Sequence, residues 1–272
     1  MKYIIAVSGG VDSVVLLDMM SKVGGNELII AHFDHGIRDD SAEDAKFVAQ
    51  LAEKYGHVFF SKREVLGKSA SEELARTRRY EYLNALAKAH EAKVVTAHHL
   101  DDLVETVAIN LNRGTGWRGL AVFDSEIVRP LVDVPKQDII KYAESNGLVW
   151  REDSTNASDV YLRNRLRQKT QNLTTDEKRQ LRALHAAQKE LRTQIRQEVT
   201  QLIGSGPAYS RYQLIHMPAK VALECLRLIS NRRLTRPQLE RLLHAIKTAK
   251  AGSYFEAGMG ITVQFGTRYF TL

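Results

Sequence analysis

The stretch that most constrains this chain lies at its start. Tyr3-Ile4-Ile5-Ala6-Val7 is a short apolar run rich in β-branched residues, the pattern of a strand buried on both faces. Val14-Val15-Leu16-Leu17-Asp18-Met19-Met20 suits a buried helix, which leaves Ser8-Gly9-Gly10-Val11-Asp12-Ser13 as a strand-to-helix turn. A buried strand feeding straight into a buried helix commits the chain to a sheet covered by helices. The paired glycines let backbone N–H groups approach a ligand, Ser8 and Ser13 add hydroxyls, and the helix aims its positive end at the loop. That is a nest for phosphate. The Gly-Lys-Ser/Thr ending of a Walker loop is missing. Asp12 is out of place beside phosphate alone, because like charges repel. A Mg²⁺ ion bridging Asp12 and pyrophosphate oxygens removes the conflict.

The following residues repeat the unit. Strands are expected at Leu28–Phe33, Val58–Phe60 and Lys93–Ala97, with a fifth, short one at Ile127-Val128. Helices are expected over 41–55, over Ser71–Ala89 with Leu74, Leu83 and Leu86 inward, over 100–111, and from Pro135 to Ser145. Alternation of this kind predicts an α/β fold, a parallel sheet with ligands at the carboxyl ends of its strands. The character then changes. Asp176–Leu202 reads as one long basic amphipathic helix with Leu184, Leu191, Ile195, Val199 and Leu202 on its apolar side. Gly204-Ser205-Gly206-Pro207 breaks it. A strand-like Tyr209–Ile215, helices at 218–229 and 235–247, and an alternating tail from Ser253 complete a small α+β region. The expected organisation is residues 1–172 as one domain, 173–203 as a connecting helix, and 204–272 as a second domain.

Several clusters fall where such a sheet places ligands. His32-Phe33-Asp34-His35-Gly36-Ile37-Arg38 follows the second strand, a loop suited to base, ribose or phosphate more than to a metal. Arg76 and Arg79 share a helix face and match phosphate in bidentate fashion. Thr96-Ala97-His98-His99-Leu100-Asp101-Asp102 runs from the fourth strand into a helix that also carries Glu105 and Thr106. Acids in a first helical turn suit the helix dipole. Asp101 and Glu105, however, are four apart and repel, so the group points to Mg²⁺ binding or proton transfer. Arg113-Gly114 opens a basic loop, Glu152-Asp153-Ser154-Thr155-Asn156 offers hydrogen-bonding groups, and Arg163-Asn164-Arg165-Leu166-Arg167 gathers guanidiniums that call for an anion.

Charge sorts the partners. Residues 1–150 carry 18 Lys and Arg against 22 Asp and Glu, whereas residues 151–272 carry 21 against 10. A second half with that excess attracts a nucleic acid. The single cysteine, Cys225, excludes a disulfide framework and a cysteine zinc site. No apolar run is long enough to span a bilayer, and no signal-peptide pattern is present, so a cytoplasmic setting and no membrane partner are expected.

Taken in order, the motifs Ser8–Ser13, His32-x-Asp34-His35-Gly36-x-Arg38, Ala75-Arg76-x-x-Arg79-Tyr80, Thr96–Thr106, Arg113-Gly114, Glu152-Asp153-x-Thr155-Asn156 and Arg163-Asn164-x-x-Arg167 resemble the tRNA(Ile)-lysidine synthetase family of the ATP pyrophosphatases. The likeness covers about residues 3–170 and is only loose beyond. It implies a Rossmann-like ATP pyrophosphatase (PP-loop) domain, a linker helix and a small tRNA-binding domain, with a further C-terminal domain of longer members outside this sequence. It also implies ATP and Mg²⁺, free L-lysine and a CAU-anticodon tRNA(Ile) as partners, and it admits a homodimer. On that reading ATP meets Ser8, Gly9, Gly10, Val11, Asp12, Ser13, Ala31, His32 and Arg79, with Asp12 holding Mg²⁺. His98, Asp101, Asp102 and Glu105 line the reaction centre with Asp12, while Arg76, Arg113, Arg163, Asn164 and Arg167 meet phosphate or tRNA. The alternative is another tRNA-modifying enzyme of the group, such as a tRNA thiolase.

Overall fold

The computed structural model describes residues 1–36, 41–67, 71–123, 126–151, 170, 172–204, 206–231 and 233–272. Strands β1 (Lys2–Ala6), β2 (Glu27–Asp34), β3 (Val58–Arg63) and β4 (Lys93–Val95) form a sheet in the order β3-β2-β1-β4, with every pair parallel. The expected fifth strand shrinks to one bridge, Val95 with Val128, in which Val128 N–H donates to Val94 O at 2.9 Å and Thr96 N–H to Val128 O at 3.0 Å.

Alternation along β1 explains why the sheet is covered on both sides. Ile5 joins Val15, Leu16, Leu17, Val48, Ile139 and Ala143 on one face, where helices α1 (Val11–Val23), α2 (Ser41–Tyr55) and α5 (Lys136–Ser145) pack. Its neighbour Ile4 points the other way and meets Leu83 of α3 (Glu72–Ala89). Each such isoleucine, fully buried, contributes about 1.5–3 kcal/mol relative to exposure. Asp18 ties the first face together: it accepts from Tyr55 Oη at 2.8 Å and Tyr142 Oη at 2.7 Å, and Lys22 lies 2.8 Å away. Burial alone raises the Asp18 carboxyl, but these three donors outweigh it and leave the carboxyl below its usual value. Helix α4 (Leu100–Asn112) follows β4, and α5 is capped by Asn146, with Gly147 at φ +60° after it.

Leu74 is a correction. It is 41% exposed, while Leu83 takes the inward position on α3. The long helix α6 (Thr175–Ile203) is present, but its buried line is not the leucine stripe. Lys178, His185 and Val199, spaced by multiples of seven, are covered, whereas Leu184, Leu191 and Leu202 are exposed. In the first unit polar anchors take the place of the leucines: His185 Nε2 lies 2.8 Å from Val122 O, and Arg182 pairs with Asp133 at 2.8 Å. In the second unit Val199 is buried and Ile195 packs against the core, as the apolar side predicts.

The chain divides into two compact units, Met1–Lys189 and Glu190–Leu272. In the second, α7 (Arg211–His216), α8 (Ala219–Ile229) and α9 (Arg236–Thr248) accompany an antiparallel sheet. Its strands β5 (Tyr209–Ser210), β6 (Tyr254–Gly258), β7 (Ile261–Phe265) and β8 (Tyr269–Thr271) run in the order β5-β8-β7-β6. Leu226, Leu239, Leu242, Ile246, Val263, Phe265 and Phe270 form its core. The strand expected over Tyr209–Ile215 stops after Ser210, whose Oγ accepts from Gln213 N–H at 3.3 Å and caps α7. Arg211 then turns inward and donates to the carbonyls of Ile246, Ala249 and Gly266.

Candidate active site

The order β3-β2-β1-β4 reverses direction between β1 and β4, so the crevice for a ligand opens between the loops that leave those two strands. The first loop is Ser8–Ser13. It is pinned at its base by Val7 N–H to Ala31 O at 2.9 Å and by His32 Nδ1 at 2.8 Å from Val7 O. His32 and Ala31 are both buried. Gly9 has φ +97°, a conformation that needs glycine. The Ser13 hydroxyl holds the turn from inside: it accepts from Ser8 N–H and Gly9 N–H, each at 3.2 Å, and donates to Gly10 O at 2.9 Å. Gly10 is the N-cap of α1, and no side chain caps that end. The first N–H groups of α1, at Val11 and Asp12, have no intrahelical carbonyl to meet, which is the standard arrangement for an anion.

The second loop, Thr96–His99, enters α4. His99 and Asp102 form a capping box in which the Asp102 carboxylate accepts from His99 N–H at 3.0 Å. The buried His99 ring reaches back across the crevice, with Nε2 at 3.8 Å from Asp12 Oδ1 and 3.4 Å from Asp102 Oδ2. Asp101 Oδ2 accepts from Lys136 N–H at 2.8 Å and its Oδ1 from Lys178 Nζ at 2.6 Å. Burial pushes the Asp101 carboxyl up, yet Lys178 and the Lys136 N–H outweigh it and hold it below the usual range. Both Asp101 oxygens therefore serve to join α4 to α5 and α6. Asp12 has its own cation, Lys136 Nζ, at 2.5 Å. Neither lysine stands out in the sequence, because the pairs span 124 and 77 positions.

His98 lies beside three guanidiniums. Burial first, then Arg129, Arg76 and Arg79, press its pKa down to about 3, so the ring is neutral at physiological pH. Its Nδ1 is 2.8 Å from Thr96 Oγ1 and its ring is 5.2 Å from that of Phe123. Arg129, which the motif reading left without a role, is held by Ile127 O at 3.0 Å and stacks on Phe123 at 4.6 Å. Arg76 and Arg79 flank the Tyr80 ring at 5.0 and 5.4 Å. Glu105 is buried one turn further along α4. Arg113 caps the far end of that helix, exposed and about 20 Å from His99 by helix rise, and is not brought to the crevice. Arg38, Glu152, Asp153, Thr155, Asn156, Arg163, Asn164 and Arg167 lie outside the described residues.

Among the described residues no group of three His, Cys, Asp or Glu side chains forms a metal cage. Mg²⁺ does not require one, since it binds through one or two carboxylates plus substrate phosphates. The half-exposed Asp12, at the mouth of a helix N-terminus, fits that pattern.

These features define a parallel α/β protein with a glycine-rich anion loop at its topological switch point. The chain belongs to the PP-loop family, whose domain matches residues 1–174. It is 38% identical over 177 residues to a tRNA(Ile)-lysidine synthase from Enterococcus faecalis, covering 60% of this chain and 38% of that protein. It is 38% identical over 172 residues to the enzyme of that name from Thermus thermophilus, covering 60% and 34%. The chain thus spans under half the length of these relatives. In structure it is similar to a U34-tRNA thiolase from Methanococcus maripaludis, with a TM-score of 0.60, 18% identity, and coverage of 70% of this chain and 72% of that one. That likeness concerns the fold.

Proposed function

We propose that the chain carries the lysidine-forming activity: ATP-dependent modification of the wobble cytidine in a CAU-anticodon tRNA(Ile), with free L-lysine as the amine. The observation that carries the reading is the meeting of the two loops across the β1/β4 crevice, where the Asp12 carboxylate and the His99 ring approach to 3.8 Å. An anion loop and a cluster of His and Asp side chains share one cleft, as activation of an acceptor by a nucleotide requires. The similarity to relatives named tRNA(Ile)-lysidine synthase supports the same acceptor.

The reaction follows in two displacements. The cytidine C2 carbonyl oxygen attacks the α-phosphorus of ATP, and pyrophosphate leaves from the Ser8–Ser13 loop. The neutral side-chain amine of lysine then attacks C2, loses a proton to a base, and AMP departs with the former carbonyl oxygen. Activation splits one difficult exchange into two easier ones. Mg²⁺ held by Asp12 would neutralise charge on the pyrophosphate as it separates. With both oxygens engaged, Asp101 positions α4 rather than moving protons, and Asp102 and Glu105 are the carboxylates that line the amine's approach. A neutral His98 with its arginines suits a phosphate of ATP or of the nucleotide, and the cytosine must leave its stack to arrive there. The basic second half, 21 Lys and Arg against 10 Asp and Glu over residues 151–272, supports tRNA as the partner, and a cytoplasmic setting goes with it. No helix among the described residues is long and apolar enough to cross a membrane.

A sulfur-transferring enzyme is the weaker reading. The sole cysteine, Cys225, is buried in the core of the second unit, and burial pushes its thiol up to about 11. The test is pyrophosphate release from ATP, which should require a CAU-anticodon tRNA. Release at the same rate without RNA would refute the proposal.

A further inference from the structure

We propose that Lys136 is the cation that neutralises Asp12 in the absence of metal, and that it yields Asp12 to the magnesium ion that arrives with the nucleotide. The inference rests on the nucleotide reading above. Asp12 stands in the first turn of α1, beside the N–H groups that receive phosphate. A bare carboxylate there repels a triphosphate. Lys136 Nζ lies 2.5 Å from Asp12 Oδ1, closer than the other basic group on that oxygen, His99 Nε2 at 3.8 Å.

The mounting of Lys136 suits a place-holder. Its backbone is fixed, because Lys136 N–H donates to Asp101 Oδ2 at 2.8 Å and α5 begins at this residue. Asp101 is fixed in turn by Lys178 at 2.6 Å. The ammonium, by contrast, rides on a flexible four-carbon stem in a side chain that is 34% exposed. It can leave Asp12 without disturbing the helix. Among the described residues no cluster of three metal-ligating side chains competes for a divalent ion, so a metal gains enough ligands only when phosphates come with it. Before that moment Lys136 is the partner at hand for Asp12.

Binding of a non-cleavable analogue, α,β-methylene-ATP, to the full chain by titration calorimetry tests this in magnesium and in EDTA. Lys136→Met should lose about fivefold more affinity in EDTA than in magnesium, the upper end of the loss expected for one screened ion pair. Lys136→Arg should restore most of it. In EDTA the double variant Asp12→Asn, Lys136→Met should bind as Asp12→Asn does, because Lys136 acts through Asp12. An equal loss in both conditions, or a double variant weaker than Asp12→Asn, would overturn the place-holder role while leaving nucleotide binding intact. If the wild-type chain binds the analogue in neither condition, the nucleotide reading itself falls. Tryptophan-monitored unfolding of each variant separates a folding defect from lost binding.

Discussion

Acidification should destabilise the first unit through a single partly buried ring, that of His98. The His98 imidazole is held at a pKa of about 3 by burial and by the guanidiniums of Arg129, Arg76 and Arg79. An unfolded histidine titrates near about 6.5. The folded value lies below the unfolded one, so between these limits the unfolded chain binds the extra proton. Stability therefore falls as the pH falls through that window, and the effect saturates below about 3. At about 1.36 kcal/mol per unit, integration from pH about 7 to about 4.5 gives about 2.5 kcal/mol. His98→Asn keeps a polar atom near Thr96 Oγ1, its 2.8 Å partner, and removes the titration. The readout is specific, because the two tryptophans, Trp117 and Trp150, both lie within residues 1–189. Urea unfolding followed by their fluorescence should show the wild type losing about 2.5 kcal/mol more than the variant over that pH range. Equal losses in the two proteins would refute the argument, whatever the other histidines contribute.

Asp12→Ala should abolish ATP-dependent modification of tRNA while leaving the unfolding free energy of residues 1–189 in urea within about 0.5 kcal/mol of wild type, as for a partly exposed side chain; retained activity counts against the loop assignment. Lys178→Met should cost about 1 kcal/mol at neutral pH. Asp101 has a depressed pKa in the folded chain, so its contribution is present above the unfolded value of about 3.8 and lost as pH falls through the folded one. The gap between wild type and Lys178→Met should accordingly close in acid, and a gap independent of pH contradicts the pairing. Arg211→Met leaves the carbonyls of Ile246, Ala249 and Gly266 without their donor and should destabilise the second unit by roughly 2–4 kcal/mol. Hydrogen exchange in β7 should then accelerate by roughly 30-fold or more, and unchanged protection refutes the staple.

The sheet was legible because its signals are local. β-Branched runs bounded by glycine and polar turns mark β1, β2 and β4, and the Ser8–Ser13 loop follows from its position between one such run and an apolar helix. The capping box of α9, Thr235 with Gln238, likewise shows where its helix starts. The cleft was half legible. Asp12, His98, His99 and Asp102 announce themselves, but Lys136, Lys178 and Arg129 do not, because their roles depend on contacts that tertiary folding creates. For the same reason the seven-residue line of α6 was hidden: the mostly covered Lys178 and the buried His185 look like surface residues until Asp101 and Val122 O are seen beside them. Tyr209–Ile215 alternates like a strand, and only the Ser210 cap and the inward Arg211 turn it into a helix.

The most direct test supplies the full chain with ATP, radiolabelled lysine and a CAU-anticodon stem-loop or tRNA(Ile). The account predicts label in the RNA, with one AMP and one pyrophosphate released per lysine incorporated and no label when ATP is omitted. RNA that binds the protein and stays unlabelled while ATP is present would contradict it.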